Sequence, residues 1–228
     1  MGEVLYAELS QLAGALNSPT RLQALHLLIQ APRSIEALAA LLGESHANTA
    51  AHMKALRAAG LVTAERRGKH VYQRAVEPAA PQLLLALCAA GETLRPALQQ
   101  LQDSVQKTAS SVQPRELVQL METRRVVLLD LRPSAEFEAG HLPGARSLPA
   151  SAVDARAREL PGTRRILAYC RGKYCQAAQQ GVRALRSAGL RAERLGFGVG
   201  EWRAQGHSLE IGAEAARNAS RAPDVNHP

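Results

Sequence analysis

Residues 167–179 read LAYCRGKYCQAAQ, a stretch that sets a cysteine between an apolar strand and the start of a helix. Ile166, Leu167, Ala168 and Tyr169 have the unbroken apolar character of a short strand buried in a parallel sheet. Ala178, Val182 and Leu185 recur at helical spacing, which predicts a helix beginning just after Cys175. Between the two, Cys-Arg-Gly-Lys-Tyr-Cys must curl back on itself, with Gly172 free to take dihedrals that a Cβ forbids. Such a loop turns the amides of residues 171–175 (Arg171, Gly172, Lys173, Tyr174, Cys175) inward, at the positive end of the next helix. Those amides, the helix, Arg171 and Lys173 are all expected to push the Cys170 thiol toward thiolate. The stretch is a cradle for a nucleophilic sulfur and an anionic ligand.

Free cysteines often only pack, as small core hydrophobes. Structural zinc wants close Cys or Cys/His pairs, and His141 and His207 supply no second pair at ligand spacing. A cysteine phosphatase needs an arginine six residues after its nucleophile. Gln176 stands there, and Tyr169 replaces the usual preceding histidine, so phosphate chemistry is disfavoured.

The surroundings raise the functional reading. Residues 126–132, VVLLDLR, predict another buried strand with charges at its carboxyl end. EFEAGHLPGA follows at 136–145, with a third short strand near 146–148, and RLGFG at 194–198 leads into Glu201-Trp202-Arg203. The succession LLDLRPSAEFEAGHLPGA, AYCRGKYC and GEWRAQG closely resembles the rhodanese family over roughly residues 114–211. The resemblance implies an α/β domain in which Cys170 carries a persulfide sulfur, residues 171–175 form the amide cradle, and Asp130 and Arg132 lie near it as substrate-binding groups. The six-residue loop matches the sulfur-transferring members. Thiosulfate or a persulfide is the implied donor and a thiol the acceptor, which leaves a sulfurtransferase activity open. The turn LGFGVG at 195–200 departs from the commoner double glycine. If the loop relaxed, Cys175 could attack a Cys170 persulfide and expel sulfide. A rigid cradle would instead leave Cys175 starting the helix and packed inward, and that reading is preferred.

The chain has 228 residues, comfortable for two domains of about 100 each. A formal net charge of +8 favours contact with polyanions. Of three cysteines only Cys170 and Cys175 are close in sequence, so there is no disulfide framework and a reducing, cytoplasmic setting is expected. No signal peptide is visible, and the apolar run at 83–90 is far too short to span a bilayer. The small, polar stretch 108–114 reads as a linker between a domain at 1–107 and one at 115–211, and 212–228 reads as a flexible tail.

The N-terminal half reads as almost wholly helical to Gly60. Leu5, Leu9, Leu12 and Leu16 stripe a first helix, and Ser18-Pro19 opens a second, to about Ile29. A third helix starts at Ser34 and ends at Gly43. Ser45 caps a fourth, with Thr49, Met53 and Leu56 facing inward. Residues 61–64 and 70–75 flank Arg66-Arg67-Gly68-Lys69, a hairpin with a basic tip. Helix–turn–helix followed by a basic wing is a DNA-binding arrangement, and Lys54, Arg57, Arg66, Arg67, Lys69 and Arg74 face only Glu65 in opposition.

ALNSPTRLQALHLL and HMKALRAAGLVTAERRGKHVYQR resemble the ArsR family of winged-helix repressors, over about residues 3–107. That resemblance implies a homodimer built from the first and last helices. Leu87, Leu94, Leu98, Leu101 and Val105 continue a partner-facing seam along one fifth helix, which Gly91 is expected to bend. Metal-sensing members use cysteines on the third helix or His/Asp on the fifth. The third helix carries Ser34, Ile35 and Glu36, the fifth has no His, Cys88 stands alone as a core residue, and no metal or cofactor is expected. Alanines at 50 and 51 leave base readout to Ser45, His46 and Asn48, while Lys54, Arg66, Arg67 and Lys69 hold phosphates. The sequence predicts a winged-helix regulator of double-stranded DNA fused to a rhodanese-like domain that senses or transfers sulfane sulfur. The alternative is a sulfurtransferase whose N-terminal module mainly dimerises it.

Overall fold

The computed structural model describes residues 2–123 and 125–212; the tail expected beyond 212 lies outside them. The chain divides into two compact units, Met1–Cys88 and the part from Ala89 onward.

In the first unit α1 (Gly2–Leu16) and α2 (Pro19–Gln30) precede a two-residue strand β1 (Arg33–Ser34), α3 (Ile35–Leu42) and α4 (His46–Ala58). Strands β2 (Val62–Arg67) and β3 (His70–Ala75) form the wing, and α5 (Ala79–Leu94) follows. The expected caps are in place. Ser18, Ser34 and Ser45 accept from the amides of Arg21, Ala37 and Asn48 at 3.3, 3.2 and 3.1 Å, each answering a helix-start donor that would otherwise have no partner. Leu25, Leu28, Leu38, Met53 and Leu56 close the core beneath the antiparallel sheet β1-β3-β2. The wing strands run further than expected. Arg66 and Arg67 pair with Val71 and His70, leaving only Gly68-Lys69 as the turn, with Gly68 at φ +61°.

The expected single fifth helix is two. It ends at Leu94, and α6 (Pro96–Gln106) starts after Arg95, whose backbone is extended. The break belongs to Pro96, which lacks an N–H and forces its predecessor out of helical dihedrals. The break does not fall at Gly91, which lies within α5. That glycine makes room for Leu98, since a Cβ there would lie 2.7 Å from that side chain.

The second unit continues with α7 (Pro114–Glu122), β4 (Val126–Asp130), α8 (Ser134–Ala139), β5 (Arg146–Ser147) and α9 (Val153–Arg156). It ends with β6 (Arg165–Tyr169), α10 (Gln176–Ser187), β7 (Ala192–Arg194) and α11 (Val199–Ala204). The sheet is wholly parallel, in the order β5-β4-β6-β7. Successive side chains of β4 enter opposite cores: Val126 and Leu128 meet Phe137, Leu195 and Trp202, while Val127 and Leu129 meet Val182 and Leu185. Helices on both faces explain the continuous apolar strands seen in the sequence. The cradle lies at the carboxyl end of β6, leading into α10.

Candidate functional site

Cys170 leaves β6 almost fully buried, and Cys175 is the residue before the first turn of α10. Gly172 makes the reversal at φ +137°, and the Cys175 amide closes it on the Gly172 carbonyl at 3.2 Å. The two sulfurs come to 2.7 Å, so the loop brings together the cysteines that a rigid cradle was expected to hold apart. A hydrogen bond joins them, and the direction of each thiol's shift differs from the expectation of a Cys170 thiolate. Hydrogen bonding to Cys175 and burial push the Cys170 thiol up, while the same bond and the amides of Ala178, Arg171 and Ala177 hold Cys175 down to about 5. The stabilising amides thus come from Arg171 and the first turn of α10 rather than from the whole of residues 171–175, and the helix start favours negative charge on Cys175.

The two cations expected to face the ligand are already paired. Arg171 grips Glu136, a wholly buried carboxylate, at 2.6–3.0 Å. Lys173 meets Glu92 at 2.6 Å, and the same carboxylate oxygen accepts from the Tyr174 hydroxyl. Each cradle cation therefore comes with its own anion, which reduces the field available to a doubly charged ligand.

Arg194 at the end of β7 is the exception. It is 2% exposed and donates to the carbonyls of Lys173 at 2.7 Å and Val105 at 2.8 Å. Its Nε has no partner among the described residues, and Cys175 is the charge that favours its ionised form against burial.

Asp130 and Arg132 are not ligand-facing. Both are wholly buried in an ion pair at 2.6 Å. Asp130 also accepts from Tyr169 at 2.7 Å, the Tyr169 hydroxyl accepts from the Leu142 amide at 3.0 Å, and Arg132 donates to the Gly140 carbonyl at 2.7 Å. They lock the end of β4 to the residue before Cys170, supporting the cradle from beneath. Burial keeps the Tyr169 phenol well above its ordinary pKa, so it remains a donor.

The unusual turn before Trp202 has a steric reason. A Cβ on Gly198 would sit 2.3 Å from the Cys170 carbonyl oxygen and 2.9 Å from the Gly172 nitrogen. The Gly198 amide donates to Glu201 at 2.9 Å, and a Cβ on Gly172 would lie 3.0 Å from that same carboxylate. Sequence reading missed Glu92, Arg194 and Glu201 as parts of the site. Glu92 carried a signal, being the one charged residue of α5.

On the first unit, Ser45, His46, Asn48, Lys54, Arg66, Arg67 and Lys69 are all exposed. At the start of α4 three already have partners: the Ser45 hydroxyl caps the helix, His46 contacts Glu36 at 3.3 Å, and the Asn48 side-chain amide donates to Glu44 at 3.2 Å. In the wing Arg67 pairs with Glu65 at 3.0 Å and lies over the Tyr72 ring, and Arg66 donates to the Gly68 carbonyl at 3.1 Å. Arg57 is taken inward, donating to Gln73 at 2.6 Å and tying α4 to β3. Cys88 is only half-buried, at the end of the first unit rather than in its core. Among the described residues no group of three or more His, Cys, Asp or Glu gathers as a metal site, and no helix is long and apolar enough to cross a membrane.

Comparison with known proteins agrees with both halves. Residues 113–205 match the rhodanese-like domain, and residues 18–64 match the bacterial regulatory proteins of the arsR family. The chain is 37% identical, over 92% of its length and 93% of the relative's, to the HTH-type transcriptional regulator Rv0324 of Mycobacterium tuberculosis. A sulfurtransferase of Allochromatium vinosum is 38% identical over 52 residues, 23% of this chain and 49% of that one. A solved homodimeric winged helix-turn-helix DNA-binding domain from Mycobacterium bovis, from a possible ArsR-family regulator, is 33% identical and covers 41% of this chain and 87% of that one, with a TM-score of 0.39. A rhodanese-like domain from Anabaena is 29% identical and covers 41% and 98%, with a TM-score of 0.35. The chain belongs to the ArsR-family transcriptional regulators that carry a rhodanese-like domain.

Proposed function

We propose that the chain acts in the cytoplasm as a homodimer that binds double-stranded DNA as a repressor, and that sulfane sulfur arriving at Cys170 changes that binding. The observation that carries the sulfur reading is the cysteine pair in the cradle, 2.7 Å apart and backed by a buried guanidinium. The dimer reading is supported by apolar side chains that no part of the first unit covers. Val4, Leu5, Tyr6 and Leu9 of α1 are exposed, Tyr6 to 71%, as are Leu87 and Leu94 of α5, Leu94 to 74%. The exposed α4 and the basic wing support contact with an inverted repeat whose half-sites lie about one or two helical turns apart.

The test is affinity for an operator selected from a random DNA pool, for wild type and Cys170→Ser, with and without a low-molecular-weight persulfide donor. The expected result is a donor response in wild type that is lost in Cys170→Ser. Equal affinity in all four conditions refutes sulfur control of DNA binding, and failure to select any sequence favours a sulfurtransferase whose N-terminal module serves dimerisation.

A further inference from the structure

The sulfur-loading reading leaves Cys175 without a role, yet its thiol lies beside the reacting sulfur. Its Sγ is 2.7 Å from that of Cys170, it precedes the first turn of α10, and its charge favours the ionised form of Arg194. Arg194 is the more informative neighbour. Glu136 already answers Arg171 and Glu92 already answers Lys173, so the charge of Arg194 is the one at the cradle with no carboxylate among the described residues. A buried guanidinium bound only to carbonyls favours a thiolate beside it.

We propose that Cys175 is the resolving cysteine of a two-thiol relay, and that the output of the site is a Cys170–Cys175 disulfide with free sulfide, not a lasting persulfide. This rests on the reading that Cys170 accepts sulfane sulfur. In the first step the Cys170 proton passes to Cys175 as the Cys170 sulfur attacks the outer sulfur of a low-molecular-weight persulfide. The donor's S–S bond breaks, and its thiolate leaves with the proton that Cys175 returns. In the second step the Cys175 thiolate attacks the Cys170 Sγ, the bond from Sγ to the added sulfur breaks, and that sulfur departs as HS⁻ with both electrons of the bond. The two cysteines are oxidised and the sulfane sulfur is reduced to sulfide. Two equivalents of a low-molecular-weight thiol, oxidised to their own disulfide, restore the pair.

The experiment treats the full chain with cysteine persulfide, at neutral and at alkaline pH. It reads intact mass after acid quench and trapped sulfide, for wild type, Cys175→Ser and Cys170→Ser. The expected wild type loses two hydrogens and releases one sulfide per chain. Cys175→Ser keeps one added sulfur atom at alkaline pH and releases none, and Cys170→Ser does neither. A wild type that keeps the added sulfur as Cys175→Ser does overturns the relay and leaves sulfur loading intact. Absence of both sulfur addition and sulfide release in wild type and in Cys175→Ser, at either pH, overturns sulfur loading and the relay with it.

Discussion

Gly198→Ala tests how closely the turn before Trp202 fits the sulfur loop. The new Cβ would stand 2.3 Å from the Cys170 carbonyl oxygen, 2.9 Å from the Gly172 nitrogen and 3.3 Å from the Arg171 carbonyl carbon, where ordinary contact begins at 3.4 Å. Every one of those atoms is backbone, so no side chain can rotate away, and the loop must move by about 1 Å. Overpacking of this kind costs about 1–3 kcal/mol, and the all-backbone contact places this case at the upper end. The displacement falls on Cys170 itself, and an error of about 1 Å in a reacting group can cost about 100-fold in rate. Urea unfolding followed in the second unit, together with the rate of sulfur uptake from a persulfide, reads both effects. Gly162→Ala, where a Cβ meets nothing within 4 Å, is the matched control and should leave both unchanged. A Gly198→Ala protein with wild-type stability and uptake would refute the fit described here.

Asp130→Asn, which leaves the Arg132 guanidinium buried without its anion, should cost about 3–5 kcal/mol in denaturant titration. Alkylation of the cysteine pair by iodoacetamide should stay fast down to about pH 5 and fall below it as Cys175 takes up a proton. Arg194→Gln removes the charge facing Cys175, so that limb should move to higher pH, and Arg194→Lys should move it back; an unshifted profile would deny Arg194 its role. In the wing, Glu65→Gln frees Arg67 and should tighten DNA binding at low salt, whereas neutralising Arg66, Arg67 and Lys69 together should weaken binding to every sequence and flatten its salt dependence. Because Arg171 and Lys173 each carry a carboxylate partner, a persulfide should load Cys170 faster than the thiosulfate dianion does, as compared by initial rates of sulfur uptake.

What could be read from the sequence was what local pattern encodes. The caps at Ser18, Ser34 and Ser45, the strand at Ile166 to Tyr169 and the start of α10 after Cys175 depend on neighbours a few residues apart, and each was found where expected. Pro96 was legible too, but the leucine periodicity running through it concealed the break. The charges at the cradle were not legible, because their partners are remote. Glu136 lies 35 residues from Arg171, Arg194 lies 21 from Lys173 and 89 from Val105, and Tyr174 lies 82 from Glu92. Counting basic residues in the loop therefore predicted an electropositive mouth, and folding supplied two carboxylates that no spacing rule announces. The same holds for the thiolate. Proximity to Arg171 and Lys173 pointed to a Cys170 thiolate, while the S–S approach pushes Cys170 up and, with the amides at the start of α10, holds Cys175 down.

The hold of Glu92 on Lys173 and Tyr174 bears on where this protein can be cut. The rhodanese-like match begins at residue 113, and the polar stretch before it invites truncation there. A fragment begun at that point would lose Glu92, the Val105 carbonyl that Arg194 uses, and Thr108, which accepts from Gln179 at 3.4 Å. It would keep every residue of its family pattern and still present an altered sulfur site, with Lys173 unpaired and one Arg194 donor open. Excision at Ala89, where the two compact units divide, keeps these partners on the same piece although it cuts α5.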